Sequence, residues 1–135
     1  MTWADDLKAR IGAAAGVAAL AGTRVAWFER GRGWKAQGSV LLNLDDDGRL
    51  YTHDGPNGLI QPVVEIDCFG PSGAEAWALA ETVKGICEAA GVTVGATKFL
   101  TGFVRAGRTL GPEDMPDGAR VFRRRLLVRF SIEQV

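Results

Sequence analysis

The chain has little of the material that covalent chemistry or metal binding draws on. Its 135 residues include a single histidine, His53, and two cysteines, Cys68 and Cys87. Two cysteines do not make a disulfide framework, and a reducing cytosol keeps them as thiols. Nineteen positions apart, with one histidine elsewhere, they also lack the spacing of a metal site. Charge of one sign is missing too: sixteen basic and sixteen acidic residues cancel, so bulk charge points to neither nucleic acid nor membrane. No apolar run approaches the roughly 20 residues that a membrane helix needs. The amino end, Met1-Thr-Trp-Ala-Asp-Asp6, lacks the basic start and apolar stretch of a secretory signal. The expectation is a protein that stays in its cell, or leaves it only as part of something larger. No repeat and no low-complexity tail is present, and the length suits one domain, residues 1–135, around one core.

What is present reads as a mixed fold. Thr2 can cap a first helix in which Leu7, Ile11 and Ala14 or Ala15 recur at helical spacing. Gly16 interrupts it, Val17 to Ala21 adds a helical turn, and Thr23 to Phe28 reads as a strand. Arg30-Gly-Arg-Gly-Trp-Lys-Ala-Gln-Gly38 is too rich in glycine for regular structure and reads as an exposed basic loop. Ser39 to Leu44 is a strand, Asp45-Asp-Asp-Gly48 a turn, and Leu50 to Thr52 the return strand of a hairpin. Gly55-Pro-Asn-Gly58 is a second turn. Leu59 to Phe69 then places Val64, Ile66 and Cys68 on one face, and Glu65 and Asp67 on the other.

Ser72-Gly-Ala-Glu75 is a capping box that opens a helix burying Ala76, Leu79, Ala80, Val83, Ile86 and Cys87. Gly91 ends that helix at its C′ position. Val92 to about Arg105 is a strand, and Gly107 to Gly118 a polar connection long enough to carry function. The last strand alternates cleanly. Phe122, Leu126, Val128, Phe130 and Ile132 share one parity with Arg124, while Arg123, Arg125, Leu127, Arg129, Ser131 and Glu133 share the other. The order predicts an α+β domain: a mainly antiparallel sheet packed by two principal helices, with a long β-hairpin at the C-terminal end.

The candidate chemistry is thin. Asn43 to Gly48 imitates the start of a calcium loop, with Asp54 at the twelfth position. It sits in a strand context without flanking helices, and a plain turn is the better reading. Cys68 would need a base to act as a nucleophile, and His53 has no evident partner. Both cysteines fit a core as small hydrophobes. Glu65 and Asp67 share a strand face, which reads as a solvated or interface-facing pair. Arg123, Arg125 and Arg129 crowd one face of the last strand and call for counter-charges or water. They are either a solvated face or a contact surface toward acids of a neighbouring subunit or toward phosphate.

Several stretches together carry a resemblance. Gly22-Thr-Arg-Val25 follows a helical start, Val64-Glu-Ile-Asp-Cys-Phe69 precedes a turn, and Ala74-Glu-Ala-Trp-Ala-Leu-Ala80 forms the next helix. The chain then closes on Val121-Phe-Arg-Arg-Arg-Leu-Leu-Val-Arg-Phe130. This order resembles phage tail-completion proteins, or tail terminators, and their counterparts in gene transfer agents, over roughly Leu7 to Glu133. It departs from them where Gly38-Ser-Val-Leu-Leu takes the place of a proline-led strand, and in the acidic segment from Asp45 to Asp54.

The resemblance implies a structural role rather than an enzyme, with no cofactor and no membrane partner. It implies a homo-oligomeric ring, usually hexameric, on the head-proximal end of a virion's tail tube. The partners would be copies of itself, the tail-tube protein and the head connector or neck protein, with DNA only passing through the lumen. A ring subunit meets its neighbour through two different surfaces. The segregated charges fit that: acids at Asp45, Asp46, Asp47 and Asp54, bases at Arg30, Arg32 and Lys35 and again from Arg120 through Arg123 and Arg125 to Arg129. Three rivals remain: a neck or head-closure component, a small cytosolic enzyme using Cys68 or the Glu65/Asp67 pair, and a nucleic-acid binder using the terminal arginines.

Overall fold

The computed structural model describes residues 3–52 and 55–134. Helix α1 (Trp3–Gly12) and the short α2 (Ala15–Ala21) lead into β1 (Val25–Trp27), β2 (Ser39–Asp46), β3 (Arg49–Thr52), β4 (Gly55–Ile60) and β5 (Val63–Gly70). Helix α3 (Gly73–Glu88) follows, then β6 (Val92–Val94), β7 (Thr97–Asp114) and β8 (Arg120–Gln134). The eight strands form one sheet that is antiparallel except where β1 runs parallel to β2. This is the α+β class that the sequence pattern predicts. The Thr2 cap and the roles of His53 and Asp54 lie outside the described residues.

Two hairpins build the sheet, and neither has its turn where the sequence signals suggested. Ser39 to Leu44 does not pair with Leu50 to Thr52. Instead β2 pairs with β5, and β3 pairs with β4. Residues 39–70 are therefore one long hairpin, kinked part-way by Asp46 to Gly48 on one arm and Gln61-Pro62 on the other. The Asp-Gly signal serves the kink. Gly48 has φ +61°, and a Cβ there would sit 1.9 Å from the Gln61 carbonyl oxygen. The Gln61 N–H donates to Gly48 O at 2.8 Å. A left-handed glycine beside a register shift is the geometry of a β-bulge.

Gly55 to Gly58, expected as a turn, lies inside β4, and the expected strand from Leu59 to Phe69 is broken at Gln61-Pro62. Pro62 has no amide to give a ladder, but its carbonyl still accepts from Phe130 N at 2.9 Å. The second hairpin corrects another expectation. Gly107 to Gly118 is no irregular connection, because β7 and β8 stay paired out to Asp114 and Arg120. A tight turn at Met115 to Gly118 closes them. Of three register shifts along β7, one takes up Gly111 and Pro112, while Gly102 and Gly107 stay paired in register. One edge of β8 meets β5 and then β4, and the other meets β7.

The helices cover one face only. Alternation puts Val40 and Leu42 of β2, Val64, Ile66 and Cys68 of β5, and Leu126, Val128, Phe130 and Ile132 of β8 on that face, all buried. Leu79, Val83 and Cys87 of α3 and Leu7 and Ile11 of α1 close over them. Burying each such side chain contributes on the order of 2 kcal/mol. Ser72 caps α3, accepting from Glu75 N at 3.2 Å, and its hydroxyl donates to the Glu75 carboxylate at 3.1 Å.

The far end of α3 is stopped differently from the expectation. The helix ends at Glu88, and Gly91 lies beyond its C′ position, with φ +69°, turning the chain toward β6. The last carbonyls are satisfied from another element. Arg10 of α1 donates to Ile86 O and to Ala89 O, the latter at 3.0 Å, and its guanidinium stacks 4.8 Å from the Phe99 ring. The break between the first two helices falls at Ala13-Ala14, with Gly16 inside α2.

Candidate interaction surface

The face of the sheet turned away from the helices carries the candidate residues. On β5 it presents Val63, Glu65, Asp67 and Phe69, and on β8 Arg123, Arg125, Leu127 and Arg129. Asp67 pairs in register with Arg125. Arg125 donates to Asp67 through Nε at 2.8 Å and Nη2 at 3.2 Å, and reaches Glu65 at 3.2 Å. Arg123 sits 3.6 Å from Asp67 and 2.9 Å from Glu113 on β7. Asp67 is only 2% exposed. The reading of Glu65 and Asp67 as a solvated or interface-facing pair is thereby corrected. The counter-charges that the arginine row demanded come from its own chain, one strand to either side. The carboxylate hydrogen bond is the main cause that holds the Arg125 pKa above its ordinary value.

The basic loop is less free than its composition suggested. Arg30 is half-buried, stacked 4.4 Å from the centre of the Phe69 ring, whose other neighbour is Arg123 at 5.6 Å. It donates to Ser39 Oγ at 3.1 Å and to the carbonyls of Lys35 at 2.7 Å and Gln37 at 3.4 Å. Burial pushes its pKa down, yet a guanidinium stays charged at any ordinary pH. Arg30 thus ties the loop onto the outer face and holds the loop's own backbone. Arg32 is exposed, and Lys35 lies 4.0 Å from Asp117 in the turn between β7 and β8. Loop and hairpin tip are neighbours, and together with Met115 and Pro116 they line a shallow hollow.

Asp45, Asp46 and Asp47 are exposed at the opposite end of β2, and only Asp46 has a bond here, accepting from Gly48 N at 2.9 Å. Seven residues of strand separate Ser39 from Asp46, about 23 Å of rise. The fold therefore keeps the acids and the basic loop apart. Arg129 is exposed and makes no ion pair among the described residues.

Sequence reasoning passed over Phe103, Arg105 and Arg108. They lie on β7, of which only the part from Gly107 onward was expected as a connection, and Phe103 is 63% exposed. Phe103 stands opposite Arg129, and Arg108 opposite Arg125. A shallow groove runs over this face, lined by Asp45, Glu65, Ala106, Arg108, Arg125 and Leu127.

The two thiols that the sequence offered for chemistry are both enclosed in the core. Cys68 is fully buried, and burial drives its pKa up, which keeps the thiol protonated. Cys87 is buried likewise and pushed up to about 12, first by desolvation. Neither offers a thiolate. Asp67 is sealed from solvent and held by Arg125 with Arg123 nearby, and Glu65, which is partly exposed, reaches Arg125 at 3.2 Å. Among the described residues, no cluster of three or more ligating side chains is placed to hold a metal. No helix is long and apolar enough to cross a membrane.

A sheet with helices on one face and a charged, open second face can still be compared as a shape. A chain from a solved structure described as the virion of a native gene transfer agent particle superposes with a TM-score of 0.67. The two chains share a fold. The alignment covers 96% of this protein and 92% of the other, at 19% sequence identity. No protein-family model matches the chain, and no curated protein matches it in sequence. The kinship is one of fold.

Proposed function

We propose that this protein is a structural component of a phage or gene transfer agent virion, and within it the ring that caps the head-proximal end of the tail tube. The observation that carries the reading is the superposition, over nearly the whole of both chains, on a chain of a gene transfer agent virion. The sequence pattern from Gly22 to Phe130 supports the finer assignment to a tail terminator. The site's chemistry agrees with a role in shape and contact: its thiols are buried and protonated, and its one sealed carboxylate is held by arginines.

A terminator ring would end tube growth and present its upper surface to the neck. The copies would form a closed ring through two unlike surfaces. In this reading the loop of Arg30, Arg32 and Lys35 with the β7–β8 tip forms one contact region, and the Asp45 to Asp47 corner another. A neck or head-closure component would share the virion setting, and position alone separates the two. The test is gold labelling of a tagged copy on intact particles. A single label cluster where the tail tube meets the neck supports the terminator. Label on the head side of the neck, or none on particles, sinks it.

A further inference from the structure

Strand β7 has one edge paired along its whole length by β8, while β6 covers the other only from Thr97 to Phe99. From Thr101 to Asp114 that second edge has no strand beside it, among the described residues. An open edge this long invites another chain unless it is blunted. Here Pro112 and two register shifts spoil it as a template for backbone pairing. What remains is a side-chain surface. Phe103 is 63% exposed opposite the exposed Arg129, with exposed Arg105 and Arg108 further along the strand. None of these arginines makes an ion pair among the described residues, though Arg105 lines a groove with Glu81, Lys84 and Glu88 of α3. An exposed aromatic beside unpaired arginines has the composition of an interface centre.

The same sheet supplies a complement. Register runs in one row from Asp46 through Val63 and Arg129 to Phe103. Four strands at about 4.8 Å spacing put the acidic corner and the basic edge some 14 Å apart across the face. Asp45, Asp46 and Asp47 are likewise exposed and free of ion pairs among the described residues. One side of the sheet ends in unpaired acids and the other in unpaired bases, while the charges between them are mutually neutralised. Two copies meeting basic edge to basic edge would repel. Two meeting basic edge to acidic corner would not, and the second leaves a free surface of each kind for the next copy.

We infer that the β7 edge, centred on Phe103 with Arg105, Arg108 and Arg129, receives the Asp45 to Asp47 corner of a second copy of this chain, head to tail. This rests on the ring reading above and deepens it: the β7 edge, rather than the loop of Arg30, Arg32 and Lys35, is the basic surface that meets the acidic corner. The occupant is a second copy because the chain itself carries the exposed acids, Asp45 to Asp47, whose charge matches this edge. The contact also reassigns the arginines of β8. Arg123 and Arg125 are internal ties, and only Arg129 faces the neighbour.

Two single-cysteine variants test it, since the native thiols are buried. Asp47→Cys and Arg105→Cys chains, one carrying a size tag, are mixed at equal, high concentration in low salt and oxidised. Head-to-tail contact gives mixed disulfides in about tenfold excess over either homodimer, falling toward the random ratio of about two in molar salt. A random ratio in low salt, a dominant homodimer, or no disulfide at all overturns the inference. So does an equal excess when Asp5→Cys, an exposed acid of α1, replaces Asp47→Cys, because the attraction is then not local. Salt-sensitive binding of a DNA duplex by the unmodified protein, abolished by Arg105→Ala with Arg108→Ala, would reassign the edge to nucleic acid. Failure of the cross-link with label still found at the tail end removes this contact and leaves the function standing. Absence of label there removes the function whatever the cross-links show.

Discussion

Asp67 and Arg125 face each other across β5 and β8, two donor nitrogens against two carboxylate oxygens at 2.8 and 3.2 Å, with the carboxylate sealed from solvent. A buried carboxylate costs several kcal/mol to desolvate, and only a partner with matching geometry offsets it. Arg125 supplies that geometry and Arg123 the additional charge.

Replacing Asp67 by Asn leaves two arginines crowded on one face without their shared counter-charge. The expected loss is about 2–3 kcal/mol, read as a lower urea midpoint with unchanged slope. The double change Asp67→Leu with Arg125→Met recovers most of it, because an apolar pair of similar volume avoids both desolvation costs. A midpoint unmoved in Asp67→Asn would show that the pair is not the tie described here.

Gly102 sits where β7 passes the end of α3. A Cβ at this position would lie 2.0 Å from the Cys87 carbonyl oxygen, which is backbone and cannot swing aside. Gly102→Ala should therefore destabilise the fold by about 3 kcal/mol, as other overpacked sites do. Gly111→Ala, on the same strand with nothing within 4 Å, is the control and should stay within about 0.5 kcal/mol of the parent. Calorimetric melting of the two variants side by side checks it.

The Ser72 cap gives a smaller effect of known cause. Ser72→Ala removes the acceptor for Glu75 N and should cost about 1 kcal/mol, while Ser72→Asp keeps the acceptor and should cost little. Denaturant midpoints of the two variants distinguish loss of the cap from a general intolerance of the position.

How much of this was legible beforehand divides along physical lines. Local signals were reliable where the responsible interaction is local. The period of α3, its Ser72 cap, the alternation of β8 and the burial of both cysteines all follow from residues within a few positions of each other. Pairing was not legible. Asp45-Asp-Asp-Gly48 carries the composition of a hairpin turn, but Gly48 spends its left-handed conformation on a bulge against Gln61. Gly107 and Gly111 look like part of a loop, and they belong to a strand held by β8 and creased by a bulge at Gly111-Pro112. The candidate surface suffered in the same way. Three arginines on one parity were visible, but that Asp67 neutralises two of them depends on register across a chain separation of 58 residues. Arg108 was hidden because its part of the strand was, whereas Arg105 closed the expected strand and was not singled out.

The thiols give a pH dependence with a definite sign. Both cysteines have folded pKa values raised by burial, Cys87 to about 12, above the usual thiol value near 9. Below pH 9 the thiols are protonated in both states and contribute no slope. Above it the unfolded chain loses protons that the folded chain keeps, so stability falls as pH rises from about 9 toward 12, on the order of 1 kcal/mol per thiol and pH unit. Urea midpoints between pH 8 and 10.5 should drop, and Cys68→Ala with Cys87→Ala should flatten that drop. A thiol reagent should label neither cysteine in the native protein and both in urea. Rapid native labelling of Cys68 would reopen the possibility of chemistry there.

The account's central claim is that this chain acts by capping a tail, and tail length in particles made without it tests that most directly. Deleting the gene and measuring tails by electron microscopy should give tubes of uncontrolled length, unjoined to heads. Tails of parental length, properly joined to heads, would contradict it.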